Sequence, residues 1–169
     1  MDLDPVCKAP NVIAGFNSIH KRDISLSRWR NLKKRILLYI ESDENTVHTG
    51  LLTMPFLLLD EEVFEIASKY EPLMPSRQVV LLDKENQISG LYYMPILPRI
   101  DCISPKSKLS NANTIFAGTP ILTFNKILGI NIFWLDGLDS DLPVISLDLA
   151  ESILRRNVMG IKLVPVELE

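Results

Sequence analysis

Residues 55–97 read PFLLLDEEVFEIASKYEPLMPSRQVVLLDKENQISGLYYMPIL, and this stretch decides the fold class. A short apolar run at 56–59 reads as a strand. Asp60 follows as an N-cap, with Glu61 and Glu62 in the first turn, where the helix dipole favours negative charge. Val63, Phe64, Ile66, Ala67 and Tyr70 then recur at helical spacing, which predicts a helix over 60–70. Pro72 and Pro75 end it. Residues 78–82 and 91–97 flank a polar turn, 83–90, that closes on Gly90, so an antiparallel hairpin is expected. Pro95 and Pro98 cannot donate ladder hydrogen bonds and belong at an edge or bulge.

On the N-terminal side, residues 35–41 (RILLYIE) read as a strand or the end of a helix, and 12–16 as a short strand. Residues 25–35 are a candidate third helix. Residues 1–10 carry two prolines and two acids before any apolar pattern, which is the composition of a tail or an edge extension. On the C-terminal side, 104–113 is a loop by composition, and 114–116, 121–124 and 131–135 are strand candidates. Residues 136–141 form an acidic turn. A strand at 144–145 leads to Ser146 as N-cap, a helix to about 157 and Gly160 just past its end. A closing strand is expected over 161–168. Pro55 and Pro143 each precede an Asp by the same spacing, so the two strand–helix units share one grammar. Reuse of that unit is the commoner explanation, and distant duplication the other. The expectation is an α+β domain over 11–169, a largely antiparallel sheet of six or seven strands with two or three helices packed on it.

Composition bounds the function. The chain has 169 residues, 47% apolar and 23% charged. A chain of this size buries ~70% of its unfolded surface and needs no disulfide or metal to fold. That composition excludes intrinsic disorder. Eighteen Lys+Arg against 21 Asp+Glu give −3, which excludes a globally basic nucleic-acid binder. The charge is uneven, however. Residues 20–35 hold seven cations against Asp23 alone. Cys7 and Cys102 form neither a disulfide framework nor a CxxC pair. The start lacks the basic and apolar regions of a signal peptide. The apolar stretches 51–59 and 115–135 are too short or too interrupted to span a bilayer. A cytoplasmic protein with no membrane contact is expected.

The chain contains no phosphate loop, GxGxxG or HExxH. His20, beside Lys21 and Arg22, and His48, in TVHTG, read as surface loop residues. Asp136, Asp139 and Asp141 lack the alternating ligands, glycine and terminal glutamate of a calcium loop. No metal or cofactor is expected, and no catalytic residue is assigned. Asp101, in RIDCI beside Arg99, reads as an ion-pair or turn residue. The basic segment 27–35, SRWRNLKKR, has two readings. One is a solvated face with Trp29 and Leu32 packed inward. The other is a polyanion surface, with Arg stacked on Trp and phosphate contacts from the remaining cations.

Leu58 to Tyr70, the hairpin residues Tyr92, Tyr93, Leu97, Ile100 and Asp101, and the segments 146–157 and 160–168 resemble one bacterial family. It is the immunity-protein family of polymorphic toxin systems, typified by the myxobacterial swarm-inhibition immunity protein. The likeness covers roughly 55–103 and 143–168. The first helix opens with Asp rather than the family's Ser, and the N-terminal third and the middle show no match. The resemblance implies a protein that neutralises a cognate toxin domain in the cytosol by occluding its active site, with no catalytic residue of its own. Acidic clusters on such a protein suit a basic toxin, which makes Glu41, Asp43, Glu44, Asp136, Asp139 and Asp141 candidate partner-binding residues. For an acidic or lipid-directed toxin, the candidates are Arg28, Trp29, Arg30, Lys33, Lys34 and Arg35. Two other classes compete. A nucleic-acid-binding or regulatory module would use that same basic stretch and bind in a salt-dependent way. An enzyme with dispersed residues would need Asp101 and His48 in one pocket.

Overall fold

The computed structural model describes residues 8–15, 19–107, 119–137 and 143–169. The strands are β1 Asn11–Ala14, β2 Arg35–Glu41, β3 Leu51–Leu52, β4 Leu58–Asp60, β5 Ser76–Asp83 and β6 Ile88–Pro95. They continue as β7 Arg99–Ile100, β8 Ile121–Leu122, β9 Ile132–Leu135, β10 Pro143–Ile145 and β11 Glu167–Leu168. Helix α1 is Glu61–Tyr70 and α2 is Leu147–Leu154. The protein is α+β and its main sheet is mostly antiparallel. Six strands lie in the order β1-β2-β5-β6-β4-β3, with β2–β5 the parallel pair. A second sheet runs β10-β9-β7, and β11 pairs with β8.

The prolines account for the break between the first two sheets. Pro95 is the last residue of β6, opposite Ser76, and Pro98 directly precedes β7. Neither carries an N–H for the ladder, so the chain leaves the first sheet there. The Pro98 carbonyl then accepts from the Trp134 N–H of the second sheet at 2.8 Å.

Period-two burial fixes the strands. Along β2, Ile36, Leu38 and Ile40 are buried while Arg35, Leu37 and Glu41 are exposed. The inward row joins Val79, Leu81, Tyr92 and Met94, and Ile19, Ile24, Trp29 and Leu32 close over it. A second core lies between the helices and β9, built from Leu59, Val63, Ile66, Trp134, Leu149 and Ile153. Cys102, Leu122, Phe133 and Leu135 form a third.

Both N-caps form as expected. Asp60 accepts from Val63 N–H at 2.8 Å and Ser146 from Leu149 N–H at 3.3 Å. These caps lie at different distances from Pro55 and Pro143, so the equal Pro-to-Asp spacing is not an equivalence of caps. Tyr92 and Tyr93 show why adjacent strand residues serve opposite faces. Tyr92 faces the first core and donates to the Thr49 carbonyl at 2.8 Å, while Tyr93 stacks on Phe64 of α1 at 4.2 Å.

Several expectations are corrected. Residues 25–35 do not form a helix. Single 3-10 turns at Lys21–Asp23 and Trp29–Asn31 suffice to press Ile24, Trp29 and Leu32 inward, and Arg35 already begins β2. Helix α2 stops at Leu154, and Asn157 (φ 52°) and Gly160 (φ 76°) turn the chain. The closing strand shrinks to Glu167–Leu168, because residues 161–166 run outside any ladder. Within the expected tail, Lys8 bridges to Thr46. The expected strand at 114–116, and Cys7, Asp139 and Asp141, lie outside the described residues.

Candidate functional site

The basic stretch occupies the ridge that leads into β2. Arg28, Arg30, Lys33, Lys34 and Arg35 are all exposed. Among the described residues none of them makes an ion pair with a carboxylate. Arg35 donates to Gln78 Oε1 at 3.2 Å on the neighbouring strand.

Beneath them the ridge is anchored. Trp29 is half-buried against the first core, and Leu32 is buried in it. Arg77, on β5, lies 4.3 Å from the Trp29 ring centroid. Its guanidinium donates to the Trp29 carbonyl at 3.1 Å and the Leu32 carbonyl at 3.2 Å. One planar fork thus fixes both ends of the 3-10 turn, a task suited to arginine geometry. Trp29 is therefore committed to packing. Nothing in the basic run identified Arg77, because the contact joins residues 48 apart in sequence.

The acidic candidates are more dispersed. Glu41, Asp43 and Glu44 sit together at the far end of β2, all exposed. Asp43 is engaged by Lys8 at 2.6 Å and accepts from Asn45 N–H and the Thr46 hydroxyl. The Lys8 ammonium is the main reason its carboxyl is held below the usual aspartate range. Asp136 is exposed at the end of β9, in the other sheet.

Asp83, expected in the 83–90 turn, is instead the buried last residue of β5. It is 2% exposed and accepts from the Ser42 N–H and hydroxyl, the Glu85 and Asn86 N–H groups and the Asn86 side chain. The Asn86 backbone donor leads the causes that hold its carboxyl far below the usual range. Asn86 also donates to the Ser42 carbonyl at 2.9 Å. The cluster is a structural knot that ties the β5–β6 turn to the end of β2.

The residues proposed for dispersed catalysis have separate surroundings. Asp101 is exposed and faces Lys126 at 3.8 Å. His48 lies beside Tyr92, with ring centroids 6.4 Å apart. Cys102 is buried, and burial pushes its thiol up. Among the described residues no three His, Cys, Asp or Glu side chains gather as a metal site, and no helix is long and apolar enough to cross a membrane.

The outward face of β2, β5 and β6 is a second surface feature. Its rows are in register: Arg35–Gln78–Tyr93, Leu37–Val80–Leu91 and Tyr39–Leu82–Ser89. Leu37 is 42% and Leu91 39% exposed. Helix α1 meets this face at its Tyr93 edge, where Phe64 stacks on Tyr93.

No protein-family model, curated protein or solved structure matches this chain.

Proposed function

We propose that this is a cytoplasmic immunity protein that neutralises a cognate bacterial toxin by covering its active site. The partner surface is the basic ridge Arg28, Arg30, Lys33, Lys34 and Arg35. The carrying observation is a row of exposed cations, without carboxylate partners among the described residues, along and just after a turn whose two ends Arg77 bonds. Preorganised charge favours fast, specific docking on a partner of opposite sign, here an acidic toxin face. The resemblance of residues 55–103 and 143–168 to the immunity family supports the same reading. The acidic set is the weaker surface, since Asp43 is already neutralised by Lys8 and Asp136 stands apart on the second sheet. A nucleic-acid module would use the same cations, but Trp29 is packed on Arg77 rather than presented for base stacking.

The test is capture of the tagged chain from its own cell extract, with mass spectrometry of what co-purifies. A stoichiometric toxin domain is expected, lost when Arg28, Lys33 and Lys34 are changed together to Glu. Recovery of nucleic acid alone, released as salt rises, would overturn the proposal in favour of the nucleic-acid module.

A further inference from the structure

A face can pair with its own copy about a two-fold axis only if it is self-complementary, each residue meeting the residue at the mirrored position. The outward face of β2 has that form. Arg35, Leu37, Tyr39 and Glu41 alternate along it, so a cation stands at one end, an anion at the other, and apolar side chains lie between. The ends are about 20 Å apart at ~3.3 Å per residue.

The neighbouring strands deepen the same polarity. Val80 and Leu91 extend the apolar row from Leu37 across β5 and β6. Gln78 holds Arg35 on the face, and Lys33 and Lys34 lie immediately before it. At the other end, exposed Glu44 and Glu85 join Glu41. Glu85 is placed there by the Asp83 knot. Lys84, 4.5 Å from the Tyr39 ring, and Lys8, paired with Asp43, are cations at that end and offset part of its negative charge.

We infer that this open sheet face is a self-association surface, on which a second copy docks with β2 antiparallel to β2 and Arg35 of each copy facing Glu41 of the other. Stacked sheets pack ~10 Å apart, a distance that half-exposed leucines on both sides fill. Three strands by six residues cover at most about 300 Å² per copy, well below a standard interface, so the dimer is weak and forms only at high concentration, its specificity set by the charge pairing.

The experiment is sedimentation of the full chain over a concentration series up to about 1 mM, with circular dichroism confirming the fold of each variant. A monomer–dimer equilibrium is expected, and Leu37→Lys abolishes it. Leu91→Lys, on the adjacent strand, is the second apolar variant. Arg35→Glu alone and Glu41→Arg alone each weaken the dimer about tenfold or more. The double exchange restores it, because each copy then presents the reversed pair. A monomer at every concentration would overturn the proposal. So would a dimer indifferent to Leu37→Lys and Leu91→Lys, or single charge reversals that the double exchange does not rescue. A persistent monomer in which Leu37→Lys instead abolishes capture of a partner protein assigns the face to that partner.

Discussion

Asn131 and Ser146 hold each other by two hydrogen bonds: the Ser146 hydroxyl donates to Asn131 Oδ1 at 3.0 Å, and the Ser146 N–H to the Asn131 carbonyl at 2.9 Å. Asn131 also donates from its side chain to the Tyr70 carbonyl at 3.2 Å and from its N–H to Glu71 Oε1 at 2.7 Å. One amide thus joins the end of α1 to the cap of α2. Tyr70 completes the clasp by reaching Ser152 and the Asp148 carbonyl. Truncating Asn131 leaves part-buried polar groups without partners. Asn131→Ala is expected to lower stability by about 1–3 kcal/mol in urea denaturation. Asn131→Asp is expected to be worse, because it sets a second carboxylate beside Glu71. A midpoint unchanged by Asn131→Ala would refute the clasp.

The Asp83 knot predicts an acid-dependent loss of stability. Its carboxyl is held well below the ordinary 3.8 by the donors around it. As pH falls past that value, the unfolded chain takes up the proton first, so stability present above 3.8 is lost toward the lower native value. Asp43 and Glu169 act in the same direction. Burial of Asp60 acts in the opposite one. Asp83→Asn should begin less stable at neutral pH and show a shallower acid slope, read from thermal melts across the acid range. Parallel slopes in the two proteins would exclude Asp83 as the source.

Gly50, immediately before β3, marks a close approach to the C-terminal segment. Its N–H donates to the Met159 carbonyl at 3.1 Å, and a Cβ there would lie 2.1 Å from Val158 Cγ1 and 3.1 Å from Val63 Cγ2. Both valines are buried. Gly50→Ala is therefore expected to cost about 1–3 kcal/mol by overpacking. Truncation of the opposing residue, Val158→Ala, should recover part of that cost in a double-mutant cycle. Strict additivity of the two changes would contradict the contact.

Arg77 separates ridge rigidity from ridge charge. Lysine carries the same charge but cannot span two carbonyls with a planar fork. Arg77→Lys should lower stability by about 1–3 kcal/mol. It should also weaken partner capture, although every exposed cation of the ridge remains. If capture is unchanged while stability falls, the ridge works by charge alone.

Local chemistry made several elements legible in the sequence. The α1 stripe, its Asp60 cap, the Ser146 cap and the β5–β6 hairpin rest on contacts between near neighbours, and all appear in the structure. The expected third helix failed because the cations of 28–35 obscured the spacing of Ile24, Trp29 and Leu32, which packing holds with two single turns. Strand identity at 35–41 stayed open in the sequence until β5 paired with it.

The sequence by itself determined the α+β class, the two capped helices, the hairpin and the existence of a basic run, because periodicity, capping and turn chemistry act within a few residues. Only the tertiary structure decided that Arg77 would brace that run and that one aspartate, Asp83, would be buried among five donors. It alone decided that Asn131 would join two helices and that one sheet face would stay open. Each of these depends on partners brought together across many residues by packing, and no local pattern encodes such a meeting.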